Sequence, residues 1–178
     1  MIQNEITEAI CSRRSIRNYT DEPISKDTVS ELLECARFAP SGLNNQPWRF
    51  VVIDDRTIGA QLSALTHYSD IVSSAPLLIA VFLDTASSYH HEKDLMAIGA
   101  SIQNILLAAH SLKLGAVWLG EILKNKEAVS EILNTPENFE LTAVIAVGHP
   151  ATSFASSLES SSRKSLNEIV FKNKYEEI

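Results

Sequence analysis

The chain has 178 residues, 45% of them hydrophobic and 21% charged, with a formal net charge of −7; this suits one packed domain, 1–178, and excludes collagen, coiled coil and an intrinsically disordered chain. The acidic balance, with a pI of about 5.2, would repel a phosphate polymer unless the basic residues were clustered, so nucleic acid is not an expected partner. Cys11 and Cys35 lack the spacing of a disulfide framework or a zinc knuckle and read as small buried hydrophobes.

The first residues include Glu5 and Glu8 and lack a basic flank followed by an apolar run. No signal peptide is expected there, and the protein reads as cytoplasmic. Ile6, Ile10 and Cys11 predict an amphipathic helix capped near Asn4 and ended by the Arg13-Arg14-Ser15 turn. Ser25 is the expected N-cap of a second helix carrying Val29, Leu32, Leu33 and Ala36 on one face, which Pro40 forces to end near Phe38. Phe50 to Ile53 reads as a strand, Ile58 to Leu65 as a helix, and the unbroken apolar run Pro76 to Leu83 as a fully buried strand. Asp94 to Leu114 predicts a helix about 30 Å long, apolar around nearly its whole circumference and therefore central. Its Gln103, Asn104, His110 and Lys113 would be costly in lipid, so no membrane association is expected. Gly115 is the expected stop of that helix. Ala116 to Leu119 then reads as a strand, Lys126 to Leu133 as a helix capped by Asn125, and Leu141 to Val147 as another buried strand closed by Gly148-His149-Pro150. Ser153 to Ser165 resists regular structure, and the stretch from Leu166 can form a strand or an arm. Strands and helices mix without a βαβ rhythm, so the fold class is α+β.

Two segments could carry chemistry. Arg13-Arg14-Ser15-Ile16-Arg17-Asn18-Tyr19 sets three guanidinium forks just past a helix, suited to bidentate binding of phosphate. By spacing alone the commoner reading is a solvated helix end paired with nearby acids. Ala39 to Phe50, A-P-S-G-L-N-N-Q-P-W-R-F, combines two prolines, a glycine and three amides. That is a rigid loop able to read a heteroaromatic edge, or a capped turn with Trp48 packed in the core. His90-His91-Glu92 with Asp94 reads as a polar helix start rather than a metal site, since adjacent histidines cannot share one helical face. His67, His110 and His149 are isolated in sequence and read as structural, and Ser15 and Ser41 have no histidine partner at interpretable spacing.

These two segments, together with Gly115-Ala-Val-Trp-Leu-Gly120 and Val147-Gly-His-Pro150, resemble the FMN-dependent nitroreductase family over essentially the whole chain. The resemblance implies a mostly antiparallel central sheet flanked by helices around a long buried helix, in a homodimer with an exchanged C-terminal arm and FMN at the interface. Carried over by position, it implies that Arg13, Arg14, Ser15 and Arg17 hold the phosphate, ribityl chain and pyrimidine edge of FMN, with Arg17 nearest the ring. It implies that Pro40, Ser41 and Asn44, with Gln46 beside them, reach the flavin from the second subunit. Trp118, Leu119 and Gly120 would lie along the isoalloxazine through their backbone, and Arg163 with Lys164 would close over the phosphate. The implied activity is hydride transfer from NAD(P)H through FMN to a nitroaromatic, quinone or similar small-molecule acceptor, with no side-chain nucleophile. Alternatives within the same resemblance are a specialised flavoenzyme that dehalogenates, dehydrogenates azolines or fragments flavin, and a flavin-binding protein without turnover. The chain departs from the family in one respect: between Arg56 and Lys93 it has no basic residue other than histidine, which leaves Arg17 as the nearest candidate cation for the ring.

Overall fold

In the computed structural model, which describes residues 4–151 and 163–175, the first helix, α1 (Glu5–Ser12), starts at an Asn4 capping box. The Asn4 side chain accepts from the Thr7 N–H at 2.9 Å, and the Asn4 N–H donates to the Thr7 hydroxyl at 3.1 Å. The helix buries none of its residues, and Cys11 is exposed while Cys35 is half-buried. Neither cysteine is therefore the buried hydrophobe expected. In α2 (Lys26–Arg37) the Ser25 side chain accepts from the Thr28 N–H, and the buried face is Leu32 and Ala36.

Strand β1 (Trp48–Ile53) begins two residues before the expected Phe50, because Trp48 and Arg49 already pair with Leu83 and Phe82. Trp48 is buried in the core. The third helix, α3 (Arg56–Ser63), is displaced from the expected Ile58 to Leu65 because the Asp55 carboxylate accepts from the Thr57 and Ile58 N–H groups and starts the helix earlier. A short helix that sequence patterning does not indicate, α4 (Ser69–Ser74), buries Ile71 and Val72. Strand β2 (Leu77–Asp84) is buried throughout.

Helix α5 (His91–Ser111) does not stop at Gly115. Its last turn closes at Lys113, whose φ of 62° is left-handed, with the Leu114 N–H donating to Ala109 O at 2.8 Å. This is a Schellman closure with lysine in the place usually taken by glycine, so Gly115 is free to open β3 (Gly115–Leu119). In α6 (Lys126–Leu133) Asn125 makes no capping bond; its Nδ2 instead donates to Leu65 O at 2.7 Å. Strand β4 (Phe139–Gly148) starts two residues before the expected Leu141. Of the stretch from Leu166, residues 166–175 are described; they form no strand but include one helical turn, α7 (Leu166–Ile169), with all its residues exposed. Most of the expected serine-rich loop lies outside the described residues.

The fold class is α+β. The four strands form one antiparallel sheet in the order β1-β2-β4-β3. Along β2, Leu77, Ile79, Val81 and Leu83 pack with α2 and α5, while Leu78, Ala80 and Phe82 pack on the opposite face with residues of α3, α4 and α6. Cover on both faces is why this antiparallel strand is apolar at every position from Leu77 to Leu83 rather than at alternate ones. Each fully buried Leu or Ile contributes about 1.5–3 kcal/mol. Helix α5 is not enclosed all round: Ala97, Ile98, Ile102, Ile105 and Ala109 are buried against the sheet, but Met96 is 74% exposed and Leu95 36%. An apolar circumference within a single chain thus leaves one face uncovered. Among the described residues no helix is long and apolar enough to cross a membrane.

Candidate functional site

Strand β3 lies at the sheet edge, and the chain leaving α1 runs beside it. The Ile16 N–H donates to Ala116 O at 3.1 Å, within a parallel bridge between Ser15 and Ala116. Gly115 makes this approach possible, because a Cβ there would stand 2.6 Å from Ile16 Cγ2. Ile16 is buried on the face of Val117 and Leu119; by alternation Ser15 and Arg17 belong to the face of Ala116 and Trp118. The buried Tyr19 fixes the segment from below, its hydroxyl donating to Ile16 O at 2.5 Å and lying 3.2 Å from Ala146 O. Burial raises the pKa of this phenol against the weaker pull of Arg17, so it remains a donor.

Arg13 and Arg14 are half-buried at the mouth of this edge. Burial, then Arg163, then Arg14 push the Arg13 guanidinium below its ordinary pKa, which places Arg163 within electrostatic reach. Arg14 Nη1 donates to Cys11 O at 2.8 Å and Arg13 O at 3.0 Å, and Arg17 Nη1 donates to Ser15 O at 3.3 Å. The Nε atoms of Arg13 and Arg14 are buried with no hydrogen-bond partner among the described residues. No ion pair there involves Arg13, Arg14 or Arg17, so the helix end is not neutralised by neighbouring acids. Lys164 is exposed beside Arg163.

Trp118 is 44% exposed, above the middle of α5, where a Cβ on Gly99 would stand 3.7 Å from its ring. Leu119 turns its side chain into the opposite core, leaving only its backbone to the edge. Gly120 has an ordinary φ of −102°, and a Cβ on it would meet nothing within 4 Å; the glycine keeps an open space beside the strand end. Glu121, which sequence reasoning missed, ties this end to a distant turn. Its Oε2 accepts from Thr66 Oγ1 at 2.7 Å and from the His67 N–H at 2.9 Å, and its Oε1 pairs with Lys124. The Lys124 bond first, then those from Thr66 and His67, hold its pKa down at about 2.

The Pro40 to Pro47 loop is held rigid by its own polar groups. Ser41 Oγ accepts from the Gln46 N–H at 3.0 Å, and Gln46 Nε2 donates to Asn44 O at 3.2 Å. Leu43, Asn44 and Gln46 have φ values of 54°, 54° and 47°, a concentration of left-handed non-glycine residues that costs energy and marks a defined shape. Gly42 has no room for a side chain: a Cβ would lie 1.9 Å from Tyr89 Oη. The loop is moored to the start of α5, where Asn45 Nδ2 donates to Asp94 Oδ1 at 2.9 Å. Asp94 is fully buried. Burial pushes its pKa up, but bonds from Ser88, Asn45 and the His90 and Tyr89 N–H groups outweigh that and hold it below the ordinary value.

The structure therefore gathers Arg13, Arg14, Ser15, Arg17, Trp118, Gly120 and Arg163 around the β3 edge, on the C-terminal and middle parts of α5. Within one chain it does not bring Pro40, Ser41, Asn44 and Gln46 to the arginines. Asn45 of that loop is bonded to Asp94 in the first turn of α5, about 24 Å along the helix, at 1.5 Å per residue, from His110, on which Arg13 and Arg14 act. Elsewhere, His91 Nε2 lies 2.9 Å from Glu140 Oε2, and no group of three or more potential metal ligands occurs among the described residues.

Comparison with known proteins adds to this geometry. A model of the nitroreductase family matches residues 10–67 and 59–149. A protein of Archaeoglobus fulgidus named for NADH dehydrogenase/NAD(P)H nitroreductase activity is 36% identical over 149 residues, covering 82% of this chain and 86% of that one. A 5,6-dimethylbenzimidazole synthase of Rhodospirillum rubrum is 31% identical over 167 residues, covering 78% of each. A structure from Desulfovibrio desulfuricans, named as a nitroreductase and solved in complex with FMN, superposes with a TM-score of 0.89 at 45% identity, covering 98% of this chain and 99% of that one.

Proposed function

The chain belongs to the nitroreductase family, and from that premise we propose that it is a homodimeric FMN-dependent oxidoreductase passing two electrons from NAD(P)H to a nitroaromatic, quinone or similar conjugated acceptor. The residues present fit the cofactor. The observation that carries the reading is the cluster of Arg13, Arg14 and Arg163, with two buried guanidinium Nε atoms unpartnered among the described residues, in a chain of net charge −7. Clustered like charges with unused donors on an acidic protein suit a terminal phosphate.

In this reading Arg13, Arg14 and Arg163, with Lys164 beside them, hold the phosphate, and Ser15 offers its hydroxyl to the ribityl chain. Arg17 supplies positive charge toward the pyrimidine edge. Trp118, Leu119 and Gly120 present backbone along the ring, the open space at Gly120 admitting it closely. Pro40, Ser41, Asn44 and Gln46 arrive from a second copy of the chain, because within one chain their loop is moored through Asn45 to the first turn of α5, while Arg13 and Arg14 act on His110 in its last turn. Bound FMN would supply reversible two-electron chemistry at N5, so that no nucleophilic side chain is required. The protein's part is to bind, to orient the reacting partners within hydride reach and to leave one ring face open. Reductant and acceptor then share that face in turn, which gives parallel lines in double-reciprocal plots.

The visible spectrum of the purified protein before and after anaerobic addition of NADH or NADPH tests this. A flavin band that bleaches with either nucleotide and returns with a quinone is expected, and a flavin that neither nucleotide reduces refutes the reading. The likeness to a 5,6-dimethylbenzimidazole synthase supports a second reading, flavin fragmentation, which would show little steady-state NAD(P)H consumption with a quinone.

A further inference from the structure

Behind the arginine cluster, the Ser12 hydroxyl at the end of α1 lies 2.9 Å from Nε2 of His110 in the last turn of α5. Both residues are half-buried. Among the described residues, Arg13 and Arg14, from the segment after α1, and Lys113, from the turn that closes α5, act on the imidazole as charged groups; Arg163 acts in turn on Arg13. A histidine at a helix C-terminus ordinarily gains from being protonated. Here burial first, and then Arg13, Arg14 and Lys113, lower its pKa, so in the flavin-free chain the ring is biased towards its neutral form.

We propose that His110 is a proton-linked member of the phosphate pocket: it takes up a proton when the terminal phosphate of FMN settles among Arg13, Arg14 and Arg163, and so helps the site choose FMN over riboflavin. This rests on the reading of the arginine cluster as a phosphate site. The coupling is electrostatic. A phosphate dianion cancels much of the field of the arginines, and an opposite charge nearby favours the protonated imidazole. The protonated ring donates from Nε2, leaving the Ser12 hydroxyl hydrogen free to turn toward the anion. Linkage is reciprocal, so the factor by which phosphate tightens the proton is the factor by which the proton tightens phosphate. The sign follows. Proton affinity is low in the free chain and higher in the complex, so lowering the pH through the interval between them strengthens FMN binding. Above that interval the effect vanishes, and riboflavin, without a phosphate, does not feel it. The phosphate's own second ionisation, near pH 6, acts the other way, but equally in every variant.

The test is titration of flavin-free protein with FMN and with riboflavin, followed by flavin fluorescence, from about pH 5.5 to about pH 8, a range that brackets the ordinary histidine pKa. The FMN-to-riboflavin affinity ratio of the unaltered protein should exceed that of His110→Gln by about three- to tenfold at the acid end, tenfold being the gain for one pKa unit, and the two should converge at the alkaline end. Calorimetry of FMN binding near pH 7, where the phosphate is largely dianionic, in two buffers of different ionisation heat, should show net proton uptake by the unaltered protein and by Ser12→Ala, which keeps the imidazole. Superimposable ratios in the unaltered protein and His110→Gln, or no proton uptake by the unaltered protein, overturn the inference while leaving the phosphate site intact. Equal affinities for FMN and riboflavin at every pH overturn the phosphate site itself.

Discussion

At the residue scale, the chemistry of the site was legible where it is local. Three arginines within five positions leave a solvated helix end and an anion site both open by spacing alone, and the structure favours the second because they lack acidic partners among the described residues. Glu121 was illegible because its partners Thr66 and His67 stand 55 and 54 positions away, and nothing in the sequence joins those points. Its carboxyl has a pKa of about 2 against an ordinary 4.5, so the unfolded chain holds the proton more tightly. The stability it contributes is complete above about pH 4.5 and is lost as the pH falls toward 2. Glu121→Gln should therefore show a flatter dependence of urea-unfolding stability on pH across that interval; an unchanged dependence would mean that the bonds from Thr66, His67 and Lys124 do not act on the carboxylate in solution. Arg17 is exposed and, among the described residues, held only by a 3.3 Å bond to Ser15 O, so it can swing toward a bound ring. Arg17→Ala, kept saturated with FMN, should be reduced by NAD(P)H about tenfold more slowly, the loss of about 1.4 kcal/mol of stabilisation as negative charge develops. Stopped-flow bleaching of the flavin band measures it, and an unchanged rate would assign Arg17 to the phosphate or to the fold.

At the element scale, helices with local signals were readable almost to the residue. The Ser25 cap and Pro40 bound α2, and unbroken β-branched and aliphatic content marks β2. What failed was set by partners distant in sequence: β1 starts early because Trp48 meets Leu83, and Asn125 serves Leu65 O rather than its own helix. Gly115 was read as a helix stop, yet the structure gives it a steric task. A Cβ there would meet Ile16 Cγ2 at 2.6 Å and Ile16 Cβ at 2.7 Å, and Cβ is a rigid neighbour that cannot rotate aside. Gly115→Ala should push the Ser15 to Arg17 segment off β3, costing about 1–3 kcal/mol of stability as an overpacking change. It should also weaken FMN by about tenfold, or about 1.4 kcal/mol, although no flavin-binding side chain is altered. Thermal unfolding and flavin retention on gel filtration report the two effects separately; lost stability with unchanged FMN affinity would show that the cofactor does not depend on this apposition.

At the scale of the whole molecule, one chain leaves an apolar surface uncovered and, in the proposed reading, a site incomplete. Ile6, Ile10, Phe38, Leu43 and Met96 are exposed, Leu43 by 85%. Between α1, the end of α2 and α5 runs an open groove of about 520 Å³, lined by Ile6, Ala9, Phe38, Leu107 and Ala108 among others. This surface follows the uncovered side of α5, the helix that holds Asn45 of the Pro40 to Pro47 loop at its first turn and His110, beside Arg13 and Arg14, at its last. A two-fold partner laid along α5 would cover the apolar face and, with the helices antiparallel, set each copy's Pro40 to Pro47 loop near the other's arginines. Homodimer interfaces of this kind can bury more than about 2,000 Å², enough to make the folded monomer scarce. A charge in that face should undo both functions together. Met96→Glu keeps every proposed FMN ligand, yet it should shift the protein toward monomer in sedimentation and weaken FMN by at least tenfold, or about 1.4 kcal/mol. The link between the two effects is the decisive point. If FMN affinity falls in step with the dimer fraction as the variant is diluted, the loop and the arginines serve one site from two chains. A folded monomer that retains FMN at micromolar concentration would show instead that the β3 edge and the arginine cluster suffice alone.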